Sequence, residues 1–521
     1  MNDRLFAVLS KLRRVASAIV PPKKLPPELL RTIFSYLRPG YRHGWIEGSS
    51  LPYANLLAAS HVCRIWREVA VSATELWTDI ILGAGYASVG AEIAMTLLCV
   101  HRSGVRPLDF IYTSLSSIDP PDVADAVPDR CRLRSVVSWY GGDSSVEDLA
   151  NFLMPASRLE YLEIDGDGES PLPTLFSGPP RCLRELVLLK CTPWPNNQFG
   201  SLTLLNLLGQ DRIEVDISSL LGTLRCSPHL EELLLENRFH PGAESEYPEH
   251  RTTAIPLHSL KRLYICRLPP GATRHLLGAL DLLPNGISMR FSNIPTEFGG
   301  TFPETIMPEL SPRTATKLEI IYPSTTGMIL HATNGVAHTR WAHRYYQGHQ
   351  LFEWIAEKRH EAYPLKELWL HVYREQYFWV PPPHALPDLE TLVIETNISE
   401  KFYDELFLML SPDEDGVPYP LISTLEVRNL FWVTKFGEVL KARSDAGFRL
   451  KTLRIRWFDD CEARMASLAQ FVDKLEFYHV SDEASRGMEL PPECMTRSPG
   501  RGRWDPWLRQ FVGTPWGNLG D

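Results

Sequence analysis

In the stretch "LPPELLRTIFSYL", the apolar residues Leu25, Leu29, Leu30, Ile33, Phe34 and Leu37 recur at steps of 4, 1, 3, 1 and 3. Those steps place the apolar side chains on one stripe of an α-helix and leave Glu28, Arg31, Thr32 and Ser35 mainly on the other face. Pro26 and Pro27 suit the helix entrance, where a backbone donor would lack an intrahelical partner anyway, and Glu28 sits in the positive first turn. A polar, glycine-containing stretch from Arg38 to Asn55 follows. Beyond it, Ala58, Ala59, Val62, Cys63, Trp66, Val69 and Ala70 return at helical spacing, with Arg64, Arg67 and Glu68 on the wet side. A third element ends in "LWTDI". The pattern predicts a helical module at 25–80, and a module of 56 residues cannot hide all of its apolar side chains internally. Part of the first stripe should therefore face a partner.

Downstream the period changes. L-x-x-L-x-L, or a close aliphatic variant, starts at Leu159, Leu183, Leu202, Leu230 and Leu260, and again at Leu365, Leu389, Ile422, Leu450 and Val472. Spacings are 24, 19, 28 and 30 in the first group and 24, 33, 28 and 22 in the second, which fits a leucine-rich period of roughly 20–29 residues. Weaker candidates, "ISMRF" from Ile287 and "ATKLEI" from Ala315, fall in the gap of 105 between the groups, and "LRSVVS" from Leu133 opens the series. Alternate residues of short parallel strands point into a core, and no single repeat buries its own face, so the pattern predicts stacking into a solenoid.

The first module carries a resemblance. L-P-x-E-L-L-x-x-I-F-x-x-L, then V-C-R-x-W-R, then L-W resembles an F-box through Leu25, Pro26, Glu28, Leu29, Leu30, Ile33, Phe34, Leu37, Val62, Cys63, Arg64, Trp66, Arg67, Leu76 and Trp77. The layout, with "LWTDI" followed by "RSGVRPLDF", is similar to large fungal F-box families. The resemblance implies docking on a Skp-type adaptor of a cullin-RING ubiquitin ligase through Leu25, Pro26, Leu29, Leu30, Ile33, Phe34, Leu37, Val62, Cys63 and Trp66. It further implies a C-terminal repeat domain that holds a protein substrate. The chain departs from the family in the length of the 38–55 insertion, which keeps open an alternative: a leucine-rich protein-binding scaffold outside any ligase.

Composition narrows the classes. Of 521 residues, 44% are hydrophobic and 22% charged, with no apolar run of membrane-spanning length. A net charge of -10, spread along the chain, gives no reason to expect a nucleic-acid or membrane partner. Nine cysteines without a C-x-x-C pair read as reduced thiols of a cytoplasmic or nuclear protein. Enzyme signals are weak. Gly83, Gly85 and Gly90 lack the glycine at position 88 that a dinucleotide loop needs, since Ser88 stands there. The histidines at 331, 338, 343 and 349 match no metal spacing and read as a solvated or recognition loop, and "DGDGES" from Asp165 lacks a calcium-loop glutamate. No catalysis, cofactor or metal is expected.

The reading is thus an α/β chain: a basic arm or helix at 1–24, a small three-helix F-box at 25–80, a linker helix at 81–104, an irregular leucine-rich-repeat solenoid with a parallel sheet at 105–482, and a cap and tail at 483–521. Residues flanking the inward leucines define an open face, acidic early and more basic late. The candidate substrate contacts on it are Glu185, Glu232, Trp369, Arg428, Arg454 and Arg456, with Val187, Leu189, Leu234 and Trp369 receiving an apolar segment.

Overall fold

The computed structural model describes most of residues 25–37, 53–113, 127–139, 153–208, 217–236, 254–292, 317–343, 365–372, 386–396, 407–428, 434–457 and 465–479. The 1–24 arm, the 483–521 tail and residues 38–52 of the insertion lie outside the described residues. The chain divides into two compact units, Met1–Ile213 and Glu214–Asp521.

The first unit opens with helices α1 (Pro27–Ser35), α2 (Ala54–Ser60) and α3 (Arg64–Ser72), and a single turn of tighter helix at Thr74–Trp77 leads into strand β1 (Asp79–Leu82). Pro27 stands at the start of α1, and the first helical bond runs from Leu30 N–H to the Pro26 carbonyl at 3.1 Å. Helix α4 (Val89–Arg102) then returns the chain to β2 (Leu108–Thr113), parallel to β1. Strands β3 (Leu133–Trp139), β4 (Tyr161–Asp165), β5 (Glu185–Leu189) and β6 (Leu204–Leu208) add in sequence order, every pairing parallel. One face buries Ile80, Phe110, Val136, Leu162, Leu186 and Leu205. The other buries Ile81, Ile111, Val137, Tyr161, Val187 and Leu208. Burial on both faces is the ordinary condition of a parallel sheet.

The second unit contains helices α5 (Ile217–Arg225), α6 (Pro270–Ala279) and α7 (Thr434–Asp445). Its strands β7 (Glu232–Glu236), β8 (Arg262–Cys266) and β9 (Ser288–Ser292) are parallel neighbours. The three strands that follow, β10 (Lys317–Ser324), β11 (Gly327–Thr333) and β12 (His338–His343), form an antiparallel meander whose spatial order is reversed. β12 pairs with β9, and β10 pairs with β13 (Glu367–Val372), both parallel. The parallel series resumes through β14 (Thr391–Thr396), β15 (Thr424–Arg428), β16 (Leu450–Trp457) and β17 (Val472–His479).

Every L-x-x-L-x-L motif therefore supplies a strand, but the expected leucine-rich solenoid over 105–482 is not what forms. A solenoid adds one parallel strand per repeat with a like return segment, whereas residues 317–343 insert two antiparallel pairings into the sheet. The histidine-rich segment is corrected too: His331 lies in β11 and His338 and His343 in β12, rather than in a loop.

Candidate functional site

The apolar stripe of α1 divides in two. Leu30 and Phe34 are fully buried, and the Phe34 ring meets Trp66 of α3 edge to face at 5.2 Å and 64°. Leu29, Ile33 and Tyr36, one helical step away, are 52%, 38% and 78% exposed. These three sit at i, i+4 and i+7, a continuous line along the helix surface. Val62 just before α3 and Ile65 in its first turn are exposed as well. Pro26 is exposed, while Leu25, Leu37, Cys63 and Trp66 are half-buried. So of the ten residues expected at the adaptor, Leu30 and Phe34 hold the module together, Pro26, Leu29, Ile33 and Val62 face outward, and Leu25, Leu37, Cys63 and Trp66 lie between. Tyr36 and Ile65 belong with the outward group and were not picked out by motif; Tyr36 continues the Leu29–Ile33 line, a signal the spacing contains.

What holds this face rigid is a set of buried anchors behind it. The Trp77 indole N–H donates to the Ala70 carbonyl at 2.8 Å, and the Arg102 guanidinium lies 4.3 Å above the ring. The Tyr53 hydroxyl donates to the Asp79 carbonyl at 2.5 Å and accepts from Ile81 N–H at 3.1 Å, tying the entry of α2 to β1. Burial raises the Tyr53 hydroxyl well above its usual range and, at the neighbouring Cys99, pushes the thiol up to about 12, so this sulfur is an inert packing atom. The Gly83 N–H of the glycine-rich turn is taken by the Glu92 carboxylate at 2.8 Å. Phe34→Ala removes a fully buried ring, a class of change that costs about 3–5 kcal/mol. Hydrogen exchange on the whole chain should show lost protection across α1–α3 with β13–β17 unaffected; unchanged protection in α1 would refute this packing role.

The six substrate candidates are divided between the two units. Glu185 is half-buried in the first unit. In the second, Glu232 is buried in an ion pair with Arg262. Arg428 is buried between Glu395, 3.0 Å away, and Glu426, 2.7 Å away, with its guanidinium 5.0 Å over the Trp369 ring. Trp369 is half-buried and donates to Glu367 at 2.6 Å. Arg456, in register with Arg428, is buried, and Arg454 is exposed and paired with Glu476 at 2.7 Å. The open face is corrected accordingly: Val187, Leu189 and Leu234, expected to receive an apolar segment, are all buried. Neighbouring strands satisfy the charges, which one strand read alone cannot reveal.

Burial alone would raise the Glu395 carboxyl, but the contacts with His371 and Arg428 outweigh it and hold the group at about 2. A depressed carboxylate stabilises the fold fully above its unfolded value and loses that contribution as pH falls through the folded value. Unfolding midpoints should therefore drop between about pH 5 and pH 2, by on the order of 3 kcal/mol from this group. Glu395→Gln should flatten that part of the profile; an identical acid slope in the variant would remove the assignment.

The first three helices and the turn into β1 form a small helical module: a closed core behind an outward apolar line. Residues 23–82 match the F-box-like family model. No curated protein matches the chain. Among the described residues no helix is long and apolar enough to cross a membrane.

Proposed function

We propose that this protein is a substrate-recognition subunit of a Skp-cullin-F-box type ubiquitin ligase, acting in the cytoplasm or nucleus without catalysis of its own. The F-box-like module binds the adaptor, and the strand-rich remainder holds a protein substrate. The observation that carries the reading is the split stripe of α1. Two buried residues close the module, while Leu29, Ile33 and Tyr36 remain exposed in a line with no role in its core. A single exposed apolar residue is unremarkable, but an aligned set on a helix inside a matching family module is what a helical docking surface needs. The experiment is co-purification of the full chain with a Skp-type adaptor. A stable stoichiometric complex supports the proposal, and no complex under conditions where a known F-box protein forms one removes it.

A further inference from the structure

Strand β17 differs from its neighbours in exposure. Its register to β16 sets Leu475 beside Leu453 and Phe477 beside Ile455, and the same rows continue inward to Leu425 and Val427 of β15. The four inner residues are buried, whereas Leu475 and Phe477 are half-exposed. The opposite face repeats the contrast: Arg428 and Arg456 are buried, Tyr478 in the same row is half-exposed, and Lys474 is exposed. Both faces of the strand open together, and among the described residues its one pairing is to β16, so β17 is an edge of the sheet over 473–478. An edge strand presents alternate backbone N–H and C=O groups outward, a template for a further strand. Its start is held in place: the Arg449 guanidinium donates to the Val472 carbonyl at 2.7 Å and pairs with Asp473 at 2.9 Å. A fixed template lowers the ordering cost of adding a strand.

The side chains along the edge select what can be added. One face of β15–β17 carries Arg428, Arg454, Arg456 and Lys474 against Glu426 and Glu476, four cations to two carboxylates. Glu426 is taken up by the buried Arg428. At the surface, Glu476 is shared by Arg454 at 2.7 Å and by Lys474, whose side chains are 46% and 67% exposed. One carboxylate between two solvent-facing cations leaves a positive excess beside the edge. The other face offers the half-exposed Leu475 and Phe477. An added strand alternates its side chains between the same two faces, so one set meets the cations and the other meets the apolar pair.

We propose that the β17 edge captures an extended segment of the protein substrate by strand addition, the segment alternating acidic residues toward Lys474 and Arg454 with apolar residues toward Leu475 and Phe477. The proposal rests on the reading of this chain as a substrate-recognition subunit and names the form in which the substrate is held: a strand added to the sheet, not a folded surface laid on it. Main-chain hydrogen bonds along the edge supply affinity, and the alternating side chains supply specificity. Two copies of this chain joined edge to edge would bring two cationic patches together, so a second copy is the poorer occupant.

The test uses the full chain and three labelled short peptides: alternating aspartate and valine, the same sequence with every inner backbone nitrogen methylated, and alternating lysine and valine. Fluorescence anisotropy should show the aspartate peptide bound, with the methylated and lysine peptides each weaker by at least about tenfold. Lys474→Glu should weaken the aspartate peptide by about tenfold and tighten the lysine peptide. Lys441→Glu, an exposed change on α7, should stay within about twofold. Hydrogen exchange on the unaltered chain is read alongside, and added protection at 472–479 on adding the aspartate peptide supports the proposal. Equal binding of the methylated peptide, no loss in Lys474→Glu, or added protection confined elsewhere overturns it. So does protection at 472–479 that rises with chain concentration alone, as self-pairing would give. Adaptor co-purification reads α1 and not this edge, so failure of one reading is told apart from failure of the other.

Discussion

Leu29→Asp combined with Ile33→Asp is expected to abolish co-purification with a Skp-type adaptor while leaving the chain folded. Both side chains are exposed, Leu29 at 52% and Ile33 at 38%, so replacing them removes little internal packing, and surface changes of this kind usually shift stability by less than about 1 kcal/mol. At an interface the same positions become buried. Two carboxylates then replace two aliphatic groups in a desolvated contact, which leaves unpaired charges there and weakens binding by roughly two orders of magnitude or more. The pair of outcomes separates docking from folding. Phe34→Ala should also lose the adaptor, but through melting of α1–α3, whereas the aspartate variant should keep its exchange protection. Retention of the adaptor by the Leu29→Asp, Ile33→Asp protein would mean that α1 is not the contact face.

The second large effect is expected at Arg428. Its guanidinium is buried with two carboxylates and the Trp369 ring against it, and the Tyr478 hydroxyl donates to the Glu426 carboxylate beside it. Arg428→Met keeps much of the volume but strands Glu395 and Glu426 without their shared cation. Breaking one side of a buried ion pair typically costs about 3–5 kcal/mol. The triple variant Arg428→Met, Glu395→Gln, Glu426→Gln removes the stranded charges and should recover a large part of that loss. Denaturant midpoints of the second unit measure both. Equal destabilisation in the single and triple variants would show that Arg428 acts by shape rather than charge. The same geometry explains why Arg428 is a poor substrate contact: its donors are directed to protein carboxylates.

Much of the local structure was legible. The 3.6-residue period of Leu25–Leu37 specifies α1, and each L-x-x-L-x-L motif becomes a strand, including the weaker "ISMRF" and "ATKLEI". These succeed because alternate burial in a strand and stripe burial in a helix are written in residues a few positions apart. The open face failed for the opposite reason. Glu232, Arg428 and Arg456 look like solvated polar positions when each strand is read alone. The cross-strand partners of Glu232 and Arg428, Arg262 and Glu395, become visible only once register is known, with Arg262 lying 30 residues beyond Glu232.

By itself, then, the sequence determined α1, the strands that carry the L-x-x-L-x-L motif, and that an F-box-like module precedes a strand-rich body, since periodicity and motif spacing are local properties of the chain. Tertiary structure alone decided which half of the α1 stripe turns inward. Leu30 and Phe34 differ from Leu29 and Ile33 by a single helical step, and packing within the module, with the Trp66 ring of α3 against Phe34, selects between them. It also decided the reversed order of β10–β12. Strand order and register are set by which distant segments pack together, a choice that no periodicity within one segment encodes.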